Sequence, residues 1–161
     1  MIERLLPLAQ RIRGEMPDLE RLVQRAQEGW RRAQQSSDDF YVDSVALNLH
    51  GLYGGLERLF TLIAASVDGT RPVGANWHQL LLQQMAVEVT GVRTAVISQA
   101  IYETLEDYRA FRHLVRNIYT FHFDPVRVGR LVQQAHALLD EASRELLAFA
   151  DFLEQRGRAD G

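Results

Sequence analysis

The chain has 161 residues, 47% of them hydrophobic and 24% charged, with no cysteine and a formal net charge of −3. Such a length suits one domain with a proper core, the lack of cysteine excludes a disulfide framework, a thiolate metal site and a thiol nucleophile, and the charge gives no global pull toward nucleic acid or membrane. No apolar run approaches the roughly 18 residues needed to span a bilayer, and Met1-Ile2-Glu3-Arg4 lacks the basic start and small-residue cleavage site of a signal peptide, so a cytoplasmic protein without membrane association is expected.

An N-terminal helix is expected over about Ile2 to Arg13, interrupted by Gly14-Glu15-Met16-Pro17. Pro17 suits the first turn of a second helix, about Asp18 to Ala33, because its missing N–H would be unpaired there in any case. A third helix follows Ser36-Ser37-Asp38-Asp39, where several side chains can cap it. Leu49, Leu52, Leu56, Leu59, Phe60 and Ile63 keep helical spacing and form its core stripe. Gly51, Gly54 and Gly55 lie inside this helix at a cost of roughly 1 kcal/mol each against alanine. That cost points to a tight helix crossing, in the core or at a dimer seam, rather than to a ligand loop.

Val67 to Asn76, with Gly69, Pro72 and Gly74, reads as a loop, and Trp77 to Val89 as a short helix ended by Thr90-Gly91. The next helix spans about Ser98 to Tyr119, with Ile101, Leu105, Tyr108, Phe111, Val115 and Ile118 inward. A residue before proline avoids the α conformation, so Asp124 is a good N-cap and Pro125 a good first-turn residue for the last helix. That helix runs to about Gln155. Val128, Leu131, Ala135, Leu138, Ala142, Phe149 and Leu153 step along it by three, four or seven residues, the spacing of a bundle seam. No segment alternates with period two. Residues 1–161 are read as a single all-α domain, a bundle of four to five helices.

Metal chemistry finds no pattern here. A ferritin-type site needs Glu-x-x-His pairs on facing helices and a zincin needs His-Glu-x-x-His; neither is present. His50, His78, His113, His122 and His136 include no pair at i, i+4. No metal or cofactor is expected, which makes a metal-dependent bundle enzyme the weakest reading. Walker and Rossmann phosphate loops are also missing, and Ser44, Ser66, Ser98 and Ser143 have no nucleophile elbow.

The stretch from Arg109 to Arg130 reverses the chain's charge: Arg109, Arg112, Arg116, Arg127 and Arg130 stand against one acid, Asp124. Lysine is absent and all 18 basic residues are arginine, a breadth that fits GC-rich coding better than selection at each site. Yet Arg109, Arg112, Arg116 and Tyr119 fall at i, i+3, i+7 and i+10, along one helix stripe. Such a stripe is either a solvated face balanced by Glu103, Glu106 or Asp107, or a phosphate cradle, since planar guanidinium groups bind phosphate oxygens bidentately. The helix must end near Thr120 to Phe123, leaving His122 in a tight connection where its imidazole can fold back toward Arg116. An imidazole moves protons near neutral pH and a guanidinium stabilises a pentavalent phosphate. The two together suffice for metal-free cleavage of RNA by its own 2′-hydroxyl.

Arg116-Asn117-Ile118-Tyr119-Thr120-Phe121-His122 matches the Arg-x(4–6)-His signature of the HEPN superfamily, including the polar residue after the arginine. Phe111-Arg112-His113-Leu114-Val115-Arg116-Asn117, leading into Phe123-Asp124-Pro125, resembles HepT-like proteins of prokaryotes. Trp77-His78-Gln79-Leu80-Leu81 with Met85 is similar to them as well, and the resemblance covers about Phe40 to Leu153. It implies a HEPN helical fold that forms a homodimer, with two Arg/His motifs across a shared cleft. It further implies a metal-independent endoribonuclease toxin neutralised by a nucleotidyltransferase antitoxin. On that carry-over His122 is the general acid/base, Arg116 binds the scissile phosphate and Asn117 orients the site. Arg112 and Tyr119 join them from the stripe, as phosphate and base contacts. Relatives silenced by adenylylation carry a tyrosine two residues beyond the histidine; Asp124 stands there instead, and Tyr119 is the nearby hydroxyl. The competing reading is a non-catalytic HEPN module that binds a nucleotidyltransferase or a nucleotide through Arg112 and Arg116.

Overall fold

The structure, a computed structural model, describes residues 2–117 and 123–160, without the side chains of Ile2 and Asn117. Five helices follow in chain order: α1 (Leu5–Gln35), α2 (Phe40–Ile63), α3 (Trp77–Met85), α4 (Gln99–Asn117) and α5 (Pro125–Ala159). Among the described residues no strand forms, and one isolated bridge joins Val89 and Arg93. The all-α bundle expected from the sequence is the fold observed. No helix of the described residues is long and apolar enough to cross a membrane.

The first expectation needs correcting: the two N-terminal helices are one. α1 runs through Pro17 without a break, although proline removes the bond to the Arg13 carbonyl and disfavours a helix interior by about 3 kcal/mol. What carries the helix across is its apolar stripe. Leu5, Leu8, Ala9, Ile12, Leu19, Val23 and Ala26 are all buried, and Ile12 and Leu19 are two turns apart, so the stripe keeps phase through the proline. α1 packs along both α2 and α5. Arg13 adds a tie at the proline turn by donating to Asp151 (2.5 Å) and Glu154 (3.0 Å) on α5.

Of the α2 glycines expected at a tight helix crossing, Gly55 marks one. A Cβ at Gly55 would stand 2.6 Å from Leu19 Cδ2, so this glycine of α2 admits α1, whereas a Cβ at Gly51 would meet Leu22 at an ordinary 3.5 Å. α5 uses the same device at Gly129, where a Cβ would meet the Trp30 ring at 2.5 Å. The core stripe of α2 is buried from Leu49 to Ile63, as are Ile101, Leu105, Tyr108 and Phe111 of α4 and all seven seam positions of α5. Val115 is half-buried, and Ile118 lies outside the described residues.

Three devices position the elements that build the site. Asp124 is extended (φ −65°, ψ 112°), accepts from the Val126 N–H at 3.0 Å and caps α5, with Pro125 in its first turn. At the other end of α4, Ser98 Oγ accepts from Ile101 N–H, while Glu145 of α5 accepts from Ser98 N–H at 3.0 Å. Between α3 and α4 the buried Arg93 acts as a clamp. Its Nε and Nη2 donate to Asp68 (2.6 and 2.8 Å), Nη1 to the carbonyls of Val87 and Thr94, and Nη2 also to that of Gln84. Every guanidinium N–H thus has an acceptor. Asp68 ends the π-helical turn Ala64–Asp68 that follows α2, so the clamp fixes α3 relative to α2.

Candidate functional site

Where α2, α3 and α4 meet, they enclose a cleft of about 480 Å³ lined by Tyr53, Glu57, Ala75, Asn76, His78, Gln79, Arg109, Arg112, His113 and Arg116. The helical spacing of Arg109, Arg112 and Arg116 turns all three toward it. Of the five arginines in the basic stretch, the structure therefore gathers three. Arg127 instead lies over the Phe111 ring, 5.9 Å from its centre, and Arg130 is exposed on α5.

Each guanidinium of the stripe meets a different environment. Arg109 donates to Glu106 at 2.8 Å, one turn back on its own helix. Arg112 crosses to α2 and donates to Glu57 Oε1 at 3.0 Å. Its Nε is buried without an acceptor among the described residues and lies over Gly54, where a Cβ would come within 3.6 Å of it. Arg116 is exposed and has no ion-pair partner among the described residues. The stripe is thus neither a simple solvated face nor a bare cradle: two of its members are answered by carboxylates, and the third has no such answer among the described residues.

Glu57 is the hub. It is buried (5% exposed) inside the apolar run of α2, and its second oxygen, Oε2, lies 2.7 Å from Nδ1 of His78. Trp77 stacks on the His78 ring with centroids 3.6 Å apart. The charges are felt further along α2. The His50 imidazole is held below its ordinary value, first by burial and then by the positive charges of Arg112 and Arg116, with Glu57 opposing. Burial pushes the Tyr53 hydroxyl well above the usual phenol range, and Glu57 adds to that shift, so Tyr53 stays neutral at the cleft wall.

Of the residues singled out in the sequence, Arg112 and Arg116 come together in the cleft. The Asn117 side chain, Tyr119 and His122 lie outside the described residues. Sequence reasoning missed Glu57, His78, Tyr53 and His113 as lining residues. Glu57 had a signal: it is a lone acid between Leu56 and Leu59 on the core face of an apolar helix, where an unpaired charge does not survive.

A family model described as HepT-like protein matches residues 44–153, more than half of the chain and a span that contains every residue lining the cleft. No curated protein and no solved structure matches.

Proposed function

The chain belongs to the HepT-like protein family, and from that membership and the arginine-lined cleft we propose that it is a metal-independent endoribonuclease of the HEPN toxin type. The observation that carries this reading is the convergence of Arg109, Arg112 and Arg116 on one cleft with two imidazoles in its wall. Guanidinium groups bind a phosphodiester and stabilise the added charge of its pentavalent transition state. In the proposed reaction the 2′-hydroxyl attacks the adjacent phosphorus, the bond to the 5′ oxygen breaks, and the products are a 2′,3′-cyclic phosphate and a 5′-hydroxyl. Arg116 holds the scissile phosphate, His122 transfers a proton as general acid/base, Asn117 orients the site, and Arg112 and Tyr119 contact phosphate and base. Two copies place their motifs across a shared cleft, and a nucleotidyltransferase antitoxin silences the pair.

The test is cleavage of single-stranded RNA by the purified chain in excess EDTA. Arg116→Ala and His122→Ala are each expected to lower the rate on the order of 100-fold or more, and to restore growth where induction of the wild type arrests it. Cleavage that EDTA abolishes, or that both variants retain, sinks the reading. One observation favours the binding-only alternative: Arg109 and Arg112 already hold Glu106 and Glu57. That alternative stands if neither wild type nor His122→Ala cuts RNA while both bind a nucleotidyltransferase equally.

A further inference from the structure

Two cavities lie side by side along α2 and α3. Glu57 and His78 line the arginine cleft. One turn further along α2, Thr61 lines a second cavity of about 290 Å³, together with Trp77, Arg71, Pro72, Val73 and Leu81. What separates the two is an aromatic stack, the Trp77 and His78 rings with centroids 3.6 Å apart and 28° between their planes. On the cleft side the stack is anchored by His78 Nδ1, 2.7 Å from Glu57 Oε2. On the other side the loop before α3 returns to the tryptophan: Gly74 turns in the left-handed region (φ 101°), and its carbonyl accepts from the Trp77 N–H at 3.4 Å.

The second cavity has the lining of a seat for one flat ring with a polar edge. Its volume stands at the lower end of ligand pockets, about 300 Å³. An indole and apolar side chains form its walls, which is how proteins hold the unstacked bases of a single strand. Its polar side chains are two. Arg71 is exposed and has no ion-pair partner among the described residues. Thr61 donates its hydroxyl proton to the Glu57 carbonyl at 2.8 Å, which leaves lone pairs for a ligand. A loop that merely closed over the core would turn its apolar side chains inward; this one leaves Val73 82% exposed and brings a guanidinium to the cavity instead.

Resting on the reading of the arginine cleft as an RNA site, we infer that the second cavity seats a base of the same strand, beside the phosphate that the arginines hold, and that it prefers guanine. The base stacks on Trp77. Arg71 has only donors to offer, and guanine presents two neighbouring acceptors, N7 and O6, to one guanidinium. The N1–H of the same edge is left to donate to Thr61. Contacts to phosphate carry no sequence information, so the choice of cleavage site rests with the seat next to them.

The test is the affinity of the full chain for 2′-O-methyl RNA hexamers, which have no nucleophile and stay whole, followed by fluorescence anisotropy. One hexamer is abasic throughout; four others carry a single guanine, adenine, uracil or cytosine at one position, so all five present the same phosphates. In the wild type guanine is expected to raise affinity over the abasic strand on the order of tenfold, and by more than the other bases do. Trp77→Ala is expected to erase the gain from every base, Trp77→Phe to keep part of it, and Arg71→Ala to remove the advantage of guanine over the rest. Arg116→Ala weakens all five strands alike and leaves the gain in place. Equal affinity of the wild type for all five strands, or a guanine gain that Trp77→Ala and Arg71→Ala both retain, overturns the inference. Should Trp77→Ala fail to fold, Trp77→Phe and the exposed Arg71→Ala decide. A wild type that binds none of the strands overturns the RNA reading of the cleft and this inference together. A guanine gain in a chain that never cuts unmodified RNA supports the seat and sinks the ribonuclease reading alone.

Discussion

His50 and Glu57 are seven residues apart on α2, two turns along one face, and both feel Arg112. For Glu57 the guanidinium is a partner; for His50 it is a repelling charge, added to the penalty of burial. The folded pKa of His50 is therefore below the unfolded value of about 6.5. Between those two values the unfolded chain binds more protons than the native one, so this residue's contribution makes stability rise with pH, and stability is lost as pH falls below about 6.5. Arg112→Ala removes one repelling charge and leaves Glu57 less neutralised; both effects favour the imidazolium. The His50 titration followed by NMR is expected to move to higher pH in that variant. A midpoint that stays put would leave burial and Arg116 as the causes of the shift. The arginine stripe was legible in the sequence because helical period alone puts Arg109, Arg112 and Arg116 on one face. Glu57 and His78 were not legible as a pair. They are 21 residues apart, on different helices, and no local spacing rule joins them.

Helix boundaries followed the punctuation of the chain where a side chain could act on the nearest backbone. Asp124 and Pro125 open α5 as read, because an N-cap bond and a fixed φ are local facts. Pro17 misled for the opposite reason: its local cost is real, but an apolar stripe packed on two helices outweighs about 3 kcal/mol. Arg93 shows a third case, an ordinary-looking loop arginine that turns out to be the clamp between α2 and α3. With Arg93 and Asp68 essentially unexposed, Arg93→Ala leaves a buried carboxylate without its countercharge, although Gln84 Nε2 still donates to it at 2.7 Å, and leaves the carbonyls of Gln84, Val87 and Thr94 without this donor. The expected loss is about 3–5 kcal/mol, read as a lower urea midpoint. Arg93→Lys is expected to recover only part of it, since an ammonium has three donors and cannot span the same acceptors. A loss under about 1 kcal/mol would show that the loop holds α3 without the clamp.

At the scale of the molecule, a net charge of −3 opposes a cleft built from arginines, so on the proposed ribonuclease reading RNA binding must come from that local field rather than from the whole surface. Its salt dependence then reports which guanidinium groups are available to phosphate. Each phosphate neutralised on a single strand releases counterions worth a slope of about −0.7 in log K against log salt. Arg116 is exposed and without an ion-pair partner among the described residues, whereas Arg109 must first let go of Glu106 at 2.8 Å. Exchanging a carboxylate for a phosphate releases fewer ions from the RNA–protein pair than filling an open guanidinium. In a His122→Ala background that keeps the RNA whole, Arg116→Ala is expected to flatten the slope by about 0.7 and Arg109→Ala by less than half as much. Fluorescence anisotropy of a labelled RNA across a salt series measures both. A dimer sharing its cleft would double the two changes together and leave their ratio untouched, so the comparison is independent of the oligomeric state. Equal losses from the two arginines would mean that the Glu106 pair yields freely to phosphate, and that the stripe acts as one cradle rather than as one open cation beside two committed ones.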